Sequence, residues 1–336
     1  MDTKNKKLRI AVLVGGPSAE YDISLKSGEN VLNSIDQNKY DAKLLIIDKN
    51  GNWPISIDEF KQNFDLAFIA MHGAYGEDGT IQSILEKEKI PFTGSTSLTH
   101  ALGINKFLTL MHLKLFGLVI PFSLLISKNE WSDSPRLILK SIDHFIGYPL
   151  VVKPNFNGSS IAVSLVRRQE NLTSALNEVF NLEKTVLIQP FIDGREFTCS
   201  VLDFGFSESA FALSPTEIIP KDRQIFDYES KYDPNLALEI TPARIPEFLA
   251  NQIKRTAILA HQAIGCIGMS RTDMILSKDS KLYVLEINTI PGLTENSLIV
   301  KAAQFAGMNM TKLVDHLINS ALNYWQKKFY EKHNKE

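Results

Sequence analysis

The sequence predicts an α/β protein of two or three joined lobes, the first of them doubly wound and mostly parallel. Three observations carry this expectation. The chain has 336 residues, more than one minimal domain needs. Its opening stretch alternates short apolar runs with helix-spaced ones, the pattern of successive βα units. From about Val186 onward, strand-like runs return around a single long helical pattern.

Taken in order, Leu8 to Val14 is the first strand, and Ser24 to Ile35 carries apolar residues at helical spacing. Lys43 to Ile47 and Leu66 to Met71 are two further short strands. The first and last of these strands run into GGPS (Gly15 to Ser18) and HGAYGEDG (His72 to Gly79), and such sheets collect ligands beyond the carboxyl ends of their strands. PFTGSTS (Pro91 to Ser97) is turn chemistry and marks a boundary. Next come a helix over Lys106 to Leu115, another near Pro135 to Phe145, and the strand-like PLVVKP (Pro149 to Pro154). NGSS (Asn157 to Ser160) reads as the flexible tip of a hairpin that resumes at Ile161 to Val166. VLIQPFI, EFTCSVL and KLYVLEIN are strands, and Ile245 to Ile264 is a helix. The expected division is 1–95, 96–188 and 189–325, with a charged tail at 326–336 that frays or ends a helix.

Composition excludes several classes. With 44% hydrophobic and 22% charged residues the chain is ordinary for a globular protein with a core. A net charge of -2 gives no basic face for nucleic acid. No segment reaches the ~18 apolar residues of a membrane span. Only Ile10 to Val14 are continuously apolar near the start, too few for a signal sequence, so that run is a strand. The two cysteines, Cys199 and Cys266, lie far apart. This argues against a disulfide framework and for a reducing compartment, the cytoplasm.

The chemistry concentrates in a few runs. In LEINTIPGLTENS, Glu286 and Asn288 are two apart and share a strand face. SRTDMIL places Asp273 on a neighbouring strand with Arg271 on its own face. If the two strands pair antiparallel through SKDSK, three side-chain oxygen donors converge, a set suited to Mg²⁺. The bland alternative is an ordinary Asp273–Arg271 ion pair. Lys153, leaving an apolar strand beside NGSS, can neutralise a polyphosphate; a surface lysine is the plain reading, and the GxxxxGK[ST] pattern is absent. Lys106 gives a weaker signal of the same kind. In GGPSAEYDIS no dinucleotide fingerprint appears, and the plain reading is a helix capped by Ser18 with a solvated Glu20. His72, Glu77 and Asp78 lack the partners of a zinc site. FDYESKY, holding Lys231 and Tyr232, suits a loop that closes over a site, against a plain exposed loop.

None of these runs is specific alone; their order is. VLVGGPSAEYDIS, HGAYGEDGTIQ, VVKPNFNGSS, FDYESKY, RTDMIL and LEINTIPGLTENS together resemble the D-alanine–D-alanine ligase family of the ATP-grasp superfamily, over nearly the whole chain. The resemblance implies a three-lobed ATP-grasp architecture holding ATP between the second and third lobes, and ligation of two D-alanines for peptidoglycan. It further implies Asp273, Glu286 and Asn288 as ligands of two Mg²⁺ (Mn²⁺ as an alternative), with Glu286 bridging. Lys106, Lys153 and Lys231 match the phosphate lysines, Gln189 lies on the adenine strand, and Glu196 matches the ribose carboxylate. Glu20 matches the residue holding the first substrate's ammonium, backed by His72 and Glu77. Arg271 and the Gly292 N–H match the oxyanion stabilisers, Ser159 and Tyr232 a pair joining two loops, and Ser297 a contact to the second substrate's carboxylate. Tyrosine at 232 goes with dipeptide formation rather than use of D-lactate. A homodimer through the first lobe is also implied.

Three positions depart from the family pattern. Ala162 stands where the hairpin loop usually has glycine, Gln189 where the adenine strand commonly has an acid, and Asn157 at an often acidic place. The competing readings are another ATP-grasp ligase, forming D-alanyl-D-lactate or joining L-amino acids, and an ATP-binding regulator without catalysis. A dehydrogenase lacks its fingerprint.

Overall fold

The computed structural model describes residues 7–156, 161–220 and 237–333. Ser159, Lys231 and Tyr232, with Asn157, lie outside the described residues. The described strands form three sheets. The first is parallel in the order β2-β1-β3, built from β1 (Leu8–Gly15), β2 (Tyr40–Ile47) and β3 (Leu66–Ile69). Ile10 to Val14 and Leu66 to Ile69 are buried throughout, as apolar runs covered on both faces are. Helices α1 (Tyr21–Ser34), α2 (Ile57–Asn63) and α3 (Thr80–Lys87) follow these strands in turn. α1 approaches β1 so closely that a Cβ on Gly28 would stand 2.1 Å from Val14 Cγ1, so glycine is required there. β1 lies between its two partners: the chain steps from β1 to β2 on one side and then crosses back past β1 to β3 on the other. The GGPS and HGAYGEDG loops both open into the crevice at that switch point.

The second sheet is antiparallel in the order β4-β7-β5-β6. It contains β4 (Leu124–Ser127), β5 (Leu150–Pro154), β6 (Ser164–Val166) and β7 (Thr185–Pro190). β5 and β6 form the expected hairpin, Leu150 opposite Val166. Before this sheet come α4 (Ser97–Ile104) and α5 (Lys106–Leu115), capped by Thr96 and Asn105. Within it lie α6 (Lys128–Asp133), opened by a Ser127/Glu130 capping box, α7 (Pro135–Phe145) and α8 (Leu172–Phe180).

The third sheet runs β11-β10-β8-β12-β13, with β9 also on β8. Its strands are β8 (Gly194–Leu202), β9 (Phe211–Ala212), β10 (Thr216–Pro220), β11 (Ala237–Ile240), β12 (Met269–Ser277) and β13 (Leu282–Asn288). α9 (Glu247–Ala263) covers one face, packing Ile253 and Ala257 with Phe197, Met274 and Val284.

The cores cut across contiguous stretches of sequence. Leu113 of α5 belongs to the core of the third sheet, not the second. The last helices, α10 (Leu298–Phe305) and α11 (Met310–His333), return to the first sheet's core through Ile299, Leu313 and Leu317. Trp325 seals that return: its Nε1 donates to the Phe92 carbonyl at 2.9 Å and its ring packs 4.9 Å from Phe92. The charged residues after Trp325 simply continue α11 to His333. Cys199 and Cys266 are free and buried, and burial pushes the Cys199 thiol up to about 12. No helix among the described residues is long and apolar enough to cross a membrane.

Candidate active site

Plain alternation along β13 would put Val284 and Glu286 on one face. Val284 is nonetheless wholly buried in the core beside Met274, whereas Glu286 lines a cleft. The pairing with β12 explains the difference. Met274 faces Val284 and Asp273 faces Glu286, so Leu285 is an extra residue on β13. This is a β-bulge, which switches parity. Beyond it, Ile287 returns to the core and Asn288 stands opposite Arg271. Asp273, Glu286, Arg271 and Asn288 therefore occupy one sheet face, as the sequence predicts, but only because the bulge delivers them there.

That face opens on a cleft of about 800 Å³ between the second and third sheets, a volume suited to a nucleotide-sized ligand. Lys106, Lys153, Gln189, Glu196, Asp273 and Glu286 all line it. Charges are matched closely. Arg271 grips Asp273 with two parallel bonds, Nε to Oδ1 and Nη2 to Oδ2, both 2.9 Å. Thr198 Oγ1 donates to the same carboxylate at 2.6 Å. Lys106 Nζ lies 3.7 Å from Glu286 Oε2. The plain reading, an Asp273–Arg271 ion pair, is thus realised together with the cluster. Gln189 is buried, and its amide nitrogen donates to Ser123 Oγ at 2.8 Å. Asn288 Oδ1 accepts the Ile290 N–H at 2.9 Å, which starts the turn into Pro291–Gly292.

Asn155 is a positioning residue that sequence reasoning misses. The first N–H groups of a helix have no intrahelical acceptor, and Asn155 supplies two for α5. Its carbonyl accepts the Lys106 N–H at 3.0 Å and its Oδ1 the Phe107 N–H at 2.9 Å. Its Nδ2 reaches Asn105 Oδ1, the α5 cap, at 3.0 Å. The backbone N–H groups of Asn155 and Phe156 go in turn to the Glu183 carboxylate, whose pKa burial raises. One residue two positions after Lys153 thereby fixes Lys106 and Lys153 relative to each other. A lone Asn after a strand carries no signal of that role.

A second group forms at the switch point of the first sheet. Glu20 is buried, not solvated, and its Oε2 would lie 2.8 Å from a Cβ placed on Gly73, whose φ of +70° is one that favours glycine. Ser18 does not cap α1: its Oγ accepts the Glu20 N–H at 3.1 Å, and Glu20 is itself the residue before the helix. His72 places Nε2 2.8 Å from Ser27 Oγ and Nδ1 3.4 Å from Glu77 Oε1. Gly292 and Ser297 lie together, since a Cβ on Gly292 would stand 3.0 Å from Ser297 Oγ. Ser297 Oγ also bonds Thr294 Oγ1 at 2.9 Å.

Among the described residues, no group of three or more His, Cys, Asp or Glu is arranged to hold a metal. The set here is two carboxylates and an amide, and its chemistry fits Mg²⁺: hard oxygen donors on one face, with positions left for water and phosphate.

Two effects of this packing are measurable. Ala162 has φ +55°, a region that costs a non-glycine residue about 1–2 kcal/mol. Ala162→Gly is expected to raise the thermal midpoint by about 1–2 °C, since roughly 0.4–1 kcal/mol of unfolded-state entropy offsets the relief. A lower midpoint would show that Ala162 is unstrained. His100 on α4 is fully buried, with Nδ1 2.7 Å from Thr289 Oγ1, next to Asn288, and burial lowers its pKa to about 3. The unfolded chain binds this proton more readily, so the stability is present above about 6.5 and lost as pH falls towards 3. Denaturant midpoints across that window are expected to fall less steeply in His100→Asn; an unchanged slope would contradict this.

Comparisons with known proteins agree with the geometry. The family model described as D-ala D-ala ligase C-terminus matches residues 113–319, and D-ala D-ala ligase N-terminus matches 9–63 and 54–95. The D-alanine–D-alanine ligase of Pelotomaculum thermopropionicum is 37% identical over 94% of this chain and 97% of that protein. The structure of the D-alanine-D-alanine ligase from Coxiella burnetii superposes with a TM-score of 0.83 at 29% identity, covering 98% of this chain and 100% of that one. That of the Bacillus anthracis enzyme complexed with ATP gives 0.78 at 30% identity, covering 95% and 99%.

Proposed function

The chain belongs to the D-alanine–D-alanine ligase family, and on that premise we propose that its cleft activates one D-alanine as an acyl phosphate and joins it to a second. The family activity, ATP-dependent formation of D-alanyl-D-alanine for the cell wall, is the activity of this chain, and its fold is the ATP-grasp fold. The observation that carries the mechanism is the pairing of Asp273 with Glu286 across the bulge, facing Lys106 in a nucleotide-sized cleft.

A carboxylate resists attack by an amine because oxide is a poor leaving group. Transfer of the ATP γ-phosphoryl to the first D-alanine converts that oxygen into part of a phosphate, which the second D-alanine's amine displaces. Phosphoryl transfer needs positioning and charge neutralisation more than covalent help. Lys106, Lys153 and Lys231 take the phosphates, Gln189 and Glu196 the adenosine. Asp273, Glu286 and Asn288 would hold two Mg²⁺, which when bound neutralise phosphate oxygens. Glu20 holds the first ammonium and Ser297 the second carboxylate. Attack builds an oxyanion beside Arg271 and the Gly292 N–H. Ser159 and Tyr232 take part in keeping water from the acyl phosphate. The lobes divide near 95 and 188, and the chain works in the cytoplasm as a homodimer through its first lobe.

Product mass after incubation with Mg·ATP and D-alanine tests this reading, with D-lactate, D-serine and L-alanine as competing acceptors. D-alanyl-D-alanine should dominate. A depsipeptide or mixed dipeptide as the main product would move the assignment to a sister ligase.

A further inference from the structure

We propose that Ser27 and Asn30 of α1, braced by His72 and Glu77, are positioning residues that hold the Gly292 loop in its oxyanion-binding shape. This rests on the reading of Gly292 above and deepens it: the first lobe sets the geometry of the acyl-transfer step.

The loop after β13 is gripped on both sides of Leu293. The Leu293 N–H points at Ser27 Oγ, 3.4 Å away, and the Leu293 carbonyl accepts from Asn30 Nδ2 at 2.7 Å. Ser27 and Asn30 stand three apart on α1, hence on one helix face. The first contact fixes the peptide plane between Gly292 and Leu293, the second the plane between Leu293 and Thr294. Leu293 itself is wholly buried in the first sheet's core. The two planes flank Leu293, so its backbone is held and Gly292 is anchored on its carbonyl side, while the ring of Pro291 restricts the chain on the other. Between them glycine loses part of the freedom it otherwise has.

Ser27 is held in turn. Its Oγ lies 2.8 Å from His72 Nε2, and His72 Nδ1 faces Glu77 Oε1 at 3.4 Å. One proton arrangement serves the whole chain: Nδ1–H directed at the Glu77 carboxylate, Nε2 accepting the Ser27 O–H, and Ser27 Oγ accepting the Leu293 N–H. Ser27, His72 and Glu77 are all buried. The order Glu, His, Ser is that of a hydrolase triad, but here the serine oxygen receives a backbone N–H and attacks nothing. Its use is orientation. Gly28 next in sequence brings α1 hard against Val14, so the helix that carries the clamp is itself seated on β1.

Phosphorylation of the first D-alanine takes place at the lysines and carboxylates of the cleft, whereas the oxyanion forms only when the amine attacks. The clamp therefore affects the second step and spares the first. A small misplacement of a donor typically costs about 10²-fold.

The test takes Ser27→Ala and Asn30→Ala separately; Asn30 is only half-buried, so its variant guards against a folding failure at Ser27. Hydrogen exchange at the Leu293 amide should quicken in Ser27→Ala, and at the loop in both. Dipeptide formation should fall about 10²-fold. Scrambling of bridging ¹⁸O in β,γ-labelled ATP, driven by D-alanine and reporting reversible phosphoryl transfer, should persist within about twofold of wild type. Unchanged exchange at the loop overturns the clamp, and so does scrambling that falls in step with dipeptide formation. A wild-type protein that makes no dipeptide contradicts the activity instead, and hydrogen exchange still decides the clamp.

Discussion

Glu286→Gln is expected to lower dipeptide formation by about 10²–10³-fold or more while leaving the fold intact. The substitution keeps the shape of the side chain and removes its charge. Glu286 projects from the far side of the bulge into the cleft, a quarter exposed, and contributes nothing to the apolar core behind it. Circular dichroism and thermal midpoint should therefore change little. Its charge has two uses: it faces Lys106 at 3.7 Å, and with Asp273 it makes the anionic half of the proposed metal set. An amide in that place leaves Lys106 without this counter-charge and supplies a neutral donor where the proposed metal set would have an anionic one. Near-normal turnover in this variant, measured at saturating Mg²⁺, would remove β13 from the metal assignment.

Arg271→Lys should cost about 10²–10³-fold in kcat with a smaller change in the KM for ATP. Lysine preserves the charge, so the loss isolates geometry. The guanidinium fork meets both oxygens of Asp273 at 2.9 Å, which fixes its plane on the cleft face beside Asn288. An ammonium group cannot make that two-point contact. It also leaves Asp273 held by Thr198 and one wandering cation. If kcat were unchanged and KM for ATP rose, Arg271 would belong to nucleotide binding and not to the oxyanion.

Much of this site is legible from residue order. Asp273 and Glu286 pair because a short polar turn joins two apolar runs, and that inference needs only strand periodicity. The bulge at Leu285 is not legible, because the run Tyr283-Val284-Leu285 is apolar at every position and no alternation reveals the change of parity. The first sheet follows from βα alternation. The return of α10 and α11 to it does not, since an amphipathic helix states that it has a partner and not which one. The same gap explains His72: its place in a glycine-rich loop suggests a site residue, but its partner Ser27 lies 45 positions away on a helix whose serine looks like any other. Asn155 and Asn30 act through single backbone contacts with distant segments, a kind of role that composition and spacing do not encode.

The most direct measurement is the mass of the phosphate released when the enzyme acts on D-alanine labelled with ¹⁸O in its carboxylate. An acyl phosphate passes one carboxylate oxygen to phosphate, so each dipeptide formed should be matched by one inorganic phosphate carrying a single ¹⁸O, with ADP as the other product. Dipeptide accompanied by unlabelled phosphate, or by AMP carrying the label, would contradict activation by phosphoryl transfer in this cleft.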